Sequence, residues 1–226
     1  MFYDKNQKIR VLITAGPTRE HIDPVRYISN ESTGKMGYAI AEAFLEAGMD
    51  VILISGPVHI SHNVPVDKIT HVSSALEMLE AARSEWNDVD VVIFSAAVAD
   101  YRVETVASEK IKKDDENMSL QLVKNPDIAL EFGKVKRANQ FSIGFALETE
   151  NLLDNARKKL LKKNLDFVVL NSAREVGAGF GWDTNRVTFV YPEKVVEFEM
   201  KQKKDVAYDI LAASETFIKQ HGVCAQ

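Results

Sequence analysis

The sequence has a single cysteine, Cys224, third from the end of its 226 residues. No disulfide can form within such a chain, and a reducing cytoplasm is its expected home. No apolar run approaches the ~18 residues needed to cross a bilayer, and Met1 to Arg10 is mixed and charged, without the apolar centre of a signal peptide. Positive charge is in deficit: 28 Lys and Arg against 33 Asp and Glu leave a formal net charge of −5. That balance argues against bulk affinity for nucleic acid or for a membrane surface. There is no internal repeat, low-complexity tract or dividing linker, so a single globular domain over residues 1–226 is expected.

Several familiar nucleotide and metal motifs are missing too. Ser32-Thr33-Gly34-Lys35 hints at a P-loop, but that loop needs glycine five positions before the Gly-Lys pair and a hydroxyl residue after it. Ser29 and Met36 stand there instead. A dinucleotide fingerprint needs three closely spaced glycines after the first strand; here Gly16 is followed only by the distant Gly34 and Gly37. The second apolar run ends in Ser55-Gly56-Pro57, with no acidic residue to grip a ribose, and no tyrosine is followed four places on by lysine. An NADP-dependent oxidoreductase is thereby weakened as an alternative. The closest histidine pair, His59 and His62, has no cysteine nearby, so no metal centre is expected.

What is present reads as alternating strands and helices. Lys8 to Ala15, Asp50 to Ser55 and Asp90 to Ala97 are short apolar runs rich in β-branched residues, expected to be buried strands. Between them, Lys35 to Gly48 and Ser73 to Trp86 carry apolar residues at helical spacing; Ser32 or Thr33 is the expected cap of the first and a Ser-Ser pair opens the second. This order predicts a parallel sheet with right-handed crossovers, an α/β doubly wound fold. Tyr101 to Asn117 is polar and lysine-rich and is expected to be an exposed, mobile loop. Ser119 to Val123 and Pro126 to Lys134 read as a short strand and a helix. Phe141 to Ala146 and Leu165 to Asn171 read as strands joined by a helix from about Leu152 to Lys163. Arg186 to Tyr191 and Val195 to Met200 form an expected antiparallel hairpin around Pro192-Glu193, and Lys204 to Gln220 a closing helix.

Ligands of such sheets bind beyond the carboxyl ends of the strands. After the first strand comes a loop of more than 15 residues, from Gly16 through Asn30 to Ser32, Thr33, Gly34 and Lys35. Loops of that length are usually functional, and this one ends at a helix N-terminus suited to an anion. After the third strand come Ser95, Ala96, Ala97 and then Asp100. The small residues allow a flat ring close to the backbone, or simply close sheet packing; Asp100 can accept from a hydroxyl or base amine. Basic residues cluster at Lys110, Lys112 and Lys113 and again from Arg157 to Lys163. On an acidic chain such clusters suit small polyanions, or are solvated faces.

Five strings carry a resemblance: ITAGPTREHIDPVRYISNESTGKMGYAIAEAF, SAAVADYR, SEKIKK, VKNPDIA and GFALET, in order between Ile13 and Thr149. Together they resemble phosphopantothenate–cysteine ligase, as found in the synthetase half of bifunctional bacterial decarboxylase–synthetase proteins. The resemblance implies a Rossmann-like sheet and a two-step reaction. The carboxylate of 4′-phosphopantothenate attacks the α-phosphate of CTP, and the amine of cysteine then displaces CMP from the acyl-cytidylate. It further implies that Asn30 contacts the acyl group and that Lys110 belongs to a flap, around residues 102–117, closing over the intermediate, with Lys112 and Lys113 sharing that task or solvating the flap. Nucleotide contacts would come from Asp100, Pro126, Asp127, Ile128, Ala129, Phe145, Lys159 and Lys163. Lys159 and Lys163 are four apart, hence on one helix face. Mg²⁺ would arrive with the nucleotide, and a homodimer is expected. Only about seven residues precede the first strand, so neither flavin nor decarboxylase activity is expected here; a separate decarboxylase would act on the product. A nonenzymatic nucleotide-binding regulator is a third alternative.

Overall fold

The structure is a computed structural model, described for residues 8–113, 117–172, 174, 175 and 177–221. Cys224 and residues 114–116 of the expected flap lie outside the described residues. The chain runs β1 (Arg10–Ala15), β2 (Arg19–His21), β3 (Tyr27–Ser29), α1 (Lys35–Glu46), β4 (Asp50–Ser55), β5 (Ile69–His71), α2 (Ala75–Glu85) and β6 (Val91–Phe94). It continues through β7 (Tyr101–Val103), β8 (Leu122–Lys124), α3 (Ile128–Val135), β9 (Phe141–Glu148), α4 (Leu152–Lys162) and β10 (Phe167–Ser172). Last come β11 (Thr184–Asn185), β12 (Val187–Val190), β13 (Val195–Glu197), β14 (Lys201–Gln202) and α5 (Lys203–His221).

Eight strands form one sheet in the order β13-β12-β10-β9-β6-β1-β4-β5. The six from β5 to β10 are mutually parallel, and β12 and β13 add the expected antiparallel hairpin at one edge. Alternate residues of β1 explain why its run is apolar throughout. Val11 and Ile13 pack with α1 and α5 on one face, while Leu12 packs with α2, α3 and α4 on the other. Strands covered on both sides show no polar alternation.

Helix ends follow local chemistry, with one correction. α2 has the expected cap: Ser74 and Glu77 exchange side chain-to-backbone bonds in a full capping box. α1 is preceded not by a Ser or Thr cap but by Gly34 in the left-handed region, φ +80°. The helix enters so close to the sheet that a Cβ on Gly34 would stand 2.6 Å from Val58 Cγ1, and one on Gly37 2.5 Å from Ala15 Cβ. Close approach thus selects glycine, and Ser32 Oγ accepts from the Gly34 N–H instead.

Two expected loops contain strands. β2 and β3 pair antiparallel inside the long loop after β1, and Tyr101–Val103 pairs with Leu122–Lys124. β5 is a further edge strand that the sequence reading passes over. Each of these strands has only three residues, too few for a period to register, and each is fixed by its partner rather than by its own hydrophobicity.

Candidate functional site

The chain leaves β1 toward β4 and β5 on one side, then crosses to build β6, β9 and β10 on the other. The reversal falls between β1 and β6, and their carboxyl ends diverge into a crevice, as in other doubly wound sheets. Across this point Gly16 O accepts from Ala97 N–H, and the buried Thr18 Oγ1 accepts from Ala99 N–H at 3.0 Å. These bonds fix the SAAVAD segment against the loop after β1.

A cavity of about 420 Å³ opens over this point. One wall is the turn into α1, with Asn30, Ser32, Thr33, Gly34 and Lys35; the floor is Ser95, Ala96, Ala97 and Asp100 at the end of β6. The opposite wall is the start of α3, with Pro126, Asp127, Ile128 and Ala129. Phe145 of β9, Lys159 and Lys163 complete that side. Gly16 is not part of the lining; it packs behind Gly34, whose added Cβ would lie 3.3 Å from Gly16 Cα.

Asn30 is exposed, and its Nδ2 donates to Ala97 O at 3.0 Å. That bond holds the side chain over the floor and leaves its second N–H unspent. Asp127 caps α3 by accepting from Leu130 N–H, and the same Oδ1 lies 2.8 Å from Lys163 Nζ. Lys159 Nζ donates to Phe145 O and sits 3.8 Å from a Glu148 carboxylate oxygen. Burial and the neighbouring Lys163 charge pull the Lys159 ammonium below the ordinary lysine range, against the raising influence of Glu148, Asp127 and Asp100.

The flap lysines are outside the cavity lining: Lys110, Lys112 and Lys113 are all exposed. Nor is the segment between them loose. Asp23, fully buried, accepts from Ile111 N–H at 3.1 Å, and Arg26 Nη2 donates to Ile111 O at 2.9 Å. The Arg26 ion pair and three backbone N–H groups hold the Asp23 carboxyl far below the usual carboxylate range. Ala107 N–H further bonds Ile22 O. The expected mobile loop is therefore pinned at Ile111, with charged neighbours on either side.

Sequence reasoning missed the far end of the cavity, formed by Asn171, Gly179, Phe180, Asn185 and Lys203. Register brings them together: Asn171 faces Val187, two residues past Asn185, and Asn185 pairs with Lys201, two residues before Lys203. The glycine–aromatic stretch Gly177 to Trp182 was the available signal.

Comparisons with known proteins agree with this architecture. Residues 6–217 match the family described as DNA/pantothenate metabolism flavoprotein C-terminal domain. The coenzyme A biosynthesis bifunctional protein CoaBC of Bacillus subtilis (strain 168) is 47% identical over 213 residues, 94% of this chain and 52% of the relative. The chain thus spans about half the length of the curated relatives it matches. Among solved structures, the C-terminal domain of a CoaBC protein is 41% identical with a TM-score of 0.79, covering 95% of this chain and 97% of the other. A DNA/pantothenate metabolism flavoprotein from Streptococcus pneumoniae is 27% identical with a TM-score of 0.79, covering 92% and 99%. The chain belongs to the family of the DNA/pantothenate metabolism flavoprotein C-terminal domain.

Proposed function

We propose that this chain is a phosphopantothenate–cysteine ligase, joining 4′-phosphopantothenate to cysteine at the expense of CTP. One observation carries the reading: a single cavity at the switch point has anion-suited groups on opposite walls, with Asn30 over the floor between them. The turn into α1 offers backbone N–H groups and Lys35 to one anionic partner; Lys159, Lys163 and the start of α3 face the other. A carboxylate resists amines because oxide is a poor leaving group. When its oxygen attacks the α-phosphorus, pyrophosphate departs and an acyl-cytidylate forms; the cysteine amine then attacks the acyl carbon and CMP leaves. Catalysis then asks chiefly for alignment and charge stabilisation. In this reading the spare Asn30 N–H donates to the acyl oxygen, Phe145 packs on the base, and Asp100 accepts from the nucleotide.

No group of three or more His, Cys, Asp or Glu positioned to hold a metal occurs among the described residues. Of the acidic residues lining the cavity, Asp127 is committed to Lys163. The site therefore fits Mg²⁺ carried in by the triphosphate rather than a resident ion. Lys110, Lys112 and Lys113 reach the intermediate only if the segment around Ile111 shifts, and that movement belongs to the proposal. The reaction as written consumes no reductant, so it requires no flavin. The expected homodimer rests on the exposed Val25, Tyr27, Tyr101 and Leu122, carried on or beside the paired hairpins β2–β3 and β7–β8.

The test is isotopic. With carboxylate-labelled [¹⁸O]phosphopantothenate, cysteine and CTP, one label should appear in the released CMP. Product without label in CMP, or no product, overturns the assignment.

A further inference from the structure

An arginine without an acid stands beside the cavity, between the end of β6 and the start of α3. β7 and β8 pair in antiparallel register, Tyr101 with Lys124 and Arg102 with Val123. The half-buried Arg102 reaches across the end of β8, where its Nη1 donates to Lys124 O at 2.7 Å and to Asn125 Oδ1 at 3.2 Å. Asn125 lines the cavity, and its Nδ2 donates to Ala99 O at 2.8 Å. The asparagine therefore ties the arginine to the cavity lining.

A guanidinium has five N–H donors. Two are spent on β8, and among the described residues the Nε and Nη2 donors have no partner. Arg10, Arg26, Arg83 and Arg186 each meet a carboxylate, whereas Arg102 meets none. Asp100 and Glu104, two residues to either side of it, are exposed and form no ion pair with it. Nε and Nη2 make the planar fork that matches the two oxygens of a carboxylate. One edge of the group is thus structural, and the other is free for an anion.

Its position bears on the chemistry. Asn30 Nδ2 donates to Ala97 O, and Asn125 Nδ2 donates to Ala99 O. Two residues span at most about 7 Å of chain. The side chain that faces the acyl group in the ligase reading and the one that carries Arg102 are therefore neighbours on a single stretch.

We propose that the free edge of Arg102 holds the carboxylate of the incoming cysteine, making Arg102 the residue that selects an α-amino acid over a simple amine. This deepens the ligase reading and rests on it. The carboxylate and the attacking nitrogen share one carbon, so the group that grips the first fixes where the second arrives. The nitrogen lone pair then forms the bond to the acyl carbon, the bond from that carbon to the phosphate oxygen breaks, and CMP leaves with those electrons. The proton lost by nitrogen passes to solvent. Arg102 itself gives up no proton.

The test compares cysteine with cysteamine, which lacks the carboxylate, as acceptors for the full chain supplied with 4′-phosphopantothenate and CTP. Wild type should favour cysteine in kcat/KM. Arg102→Gln, which keeps a donor toward Lys124 O, should lose about 10- to 100-fold with cysteine, mainly through KM. Its rate with cysteamine and its release of pyrophosphate before any amine is added should stay close to wild type. Arg102→Lys, a charge without the fork, should recover part of the preference. Equal losses with both amines would reduce Arg102 to a support for β8, and no loss would remove it from the site; either overturns the proposal and leaves the ligase standing. A wild-type protein that uses both amines equally overturns it as well, even if Arg102→Gln does not fold. Failure of wild type to release pyrophosphate from CTP with 4′-phosphopantothenate would instead sink the ligase reading, and this subsite with it.

Discussion

The two basic ends of the cavity are built on opposite plans. Lys159 and Lys163 lie one turn apart at the end of α4, and each meets a carboxylate, Glu148 at 3.8 Å and Asp127 at 2.8 Å. Lys35 and Lys203 come from the starts of different helices and have one largely exposed carboxylate, Asp183, between them. The matched end is comfortable when empty, so a triphosphate binding there must displace or share existing ion pairs. The unmatched end carries its unfavourable electrostatics into the empty state, and an anion relieves them. A ligand with several negative charges can afford the exchange, whereas a single phosphate gains more from a site that is already short of negative charge.

The largest expected effect tests whether the two ends meet at the reacting carboxylate. Asn30→Ala should lower kcat by about 10²-fold or more, the usual loss for one donor aimed at developing charge. Its thermal midpoint should barely move, because the exposed side chain makes one hydrogen bond, to Ala97 O. A variant with normal kcat removes Asn30 from the chemistry. A smaller effect separates the plans directly. Lys163→Met strips the charge that pairs Asp127 and leaves a bare carboxylate lining the cavity. KM for CTP should rise roughly tenfold, and adding Asp127→Asn should recover part of that loss. At the unmatched end no single carboxylate removal should rescue Lys203→Met. Equal behaviour at the two ends would dissolve the distinction.

The matched end was legible in the sequence because its lysines share one helix face, and the α1 turn because long loops after a first strand draw notice. The central strands were legible for the same reason that hides the site's details, since continuous apolar runs announce burial on both faces. The unmatched end could not be read this way. Lys203 reaches the cavity only because β11 pairs with β14 and β12 pairs with β10, and two-residue strands leave no period. The expected helix from Lys204 to Gln220 falls within one residue of α5 at each end, yet the residue it leaves out at its start, Lys203, is the one that lines the cavity. Likewise the flap sequence SEKIKK reads as free because it is polar. Its anchor is the buried Asp23, some 88 residues away at Ile111, and only the fold supplies it.

The smallest expected effect is on stability, and its sign separates an unmatched lysine from a matched one. Lys203 is held at about 8 in the folded chain against an ordinary 10.5. Between those values the unfolded chain keeps a proton that the folded one has released, so stability contributed at this site rises with pH across that window. The gain should be on the order of 1 kcal/mol, below the full shift because water entering the cavity screens the charge. It should appear as the difference between wild type and Lys203→Met in denaturant titrations at pH 7.5 and 9.5. An anion bound beside Lys203 should reverse the trend, since it favours the charged lysine and its stabilisation fades as the proton leaves. Parallel pH profiles for wild type and variant, with and without ligand, would mean that Lys203 is already neutralised by a partner in the empty protein, and the contrast between the two ends would fall.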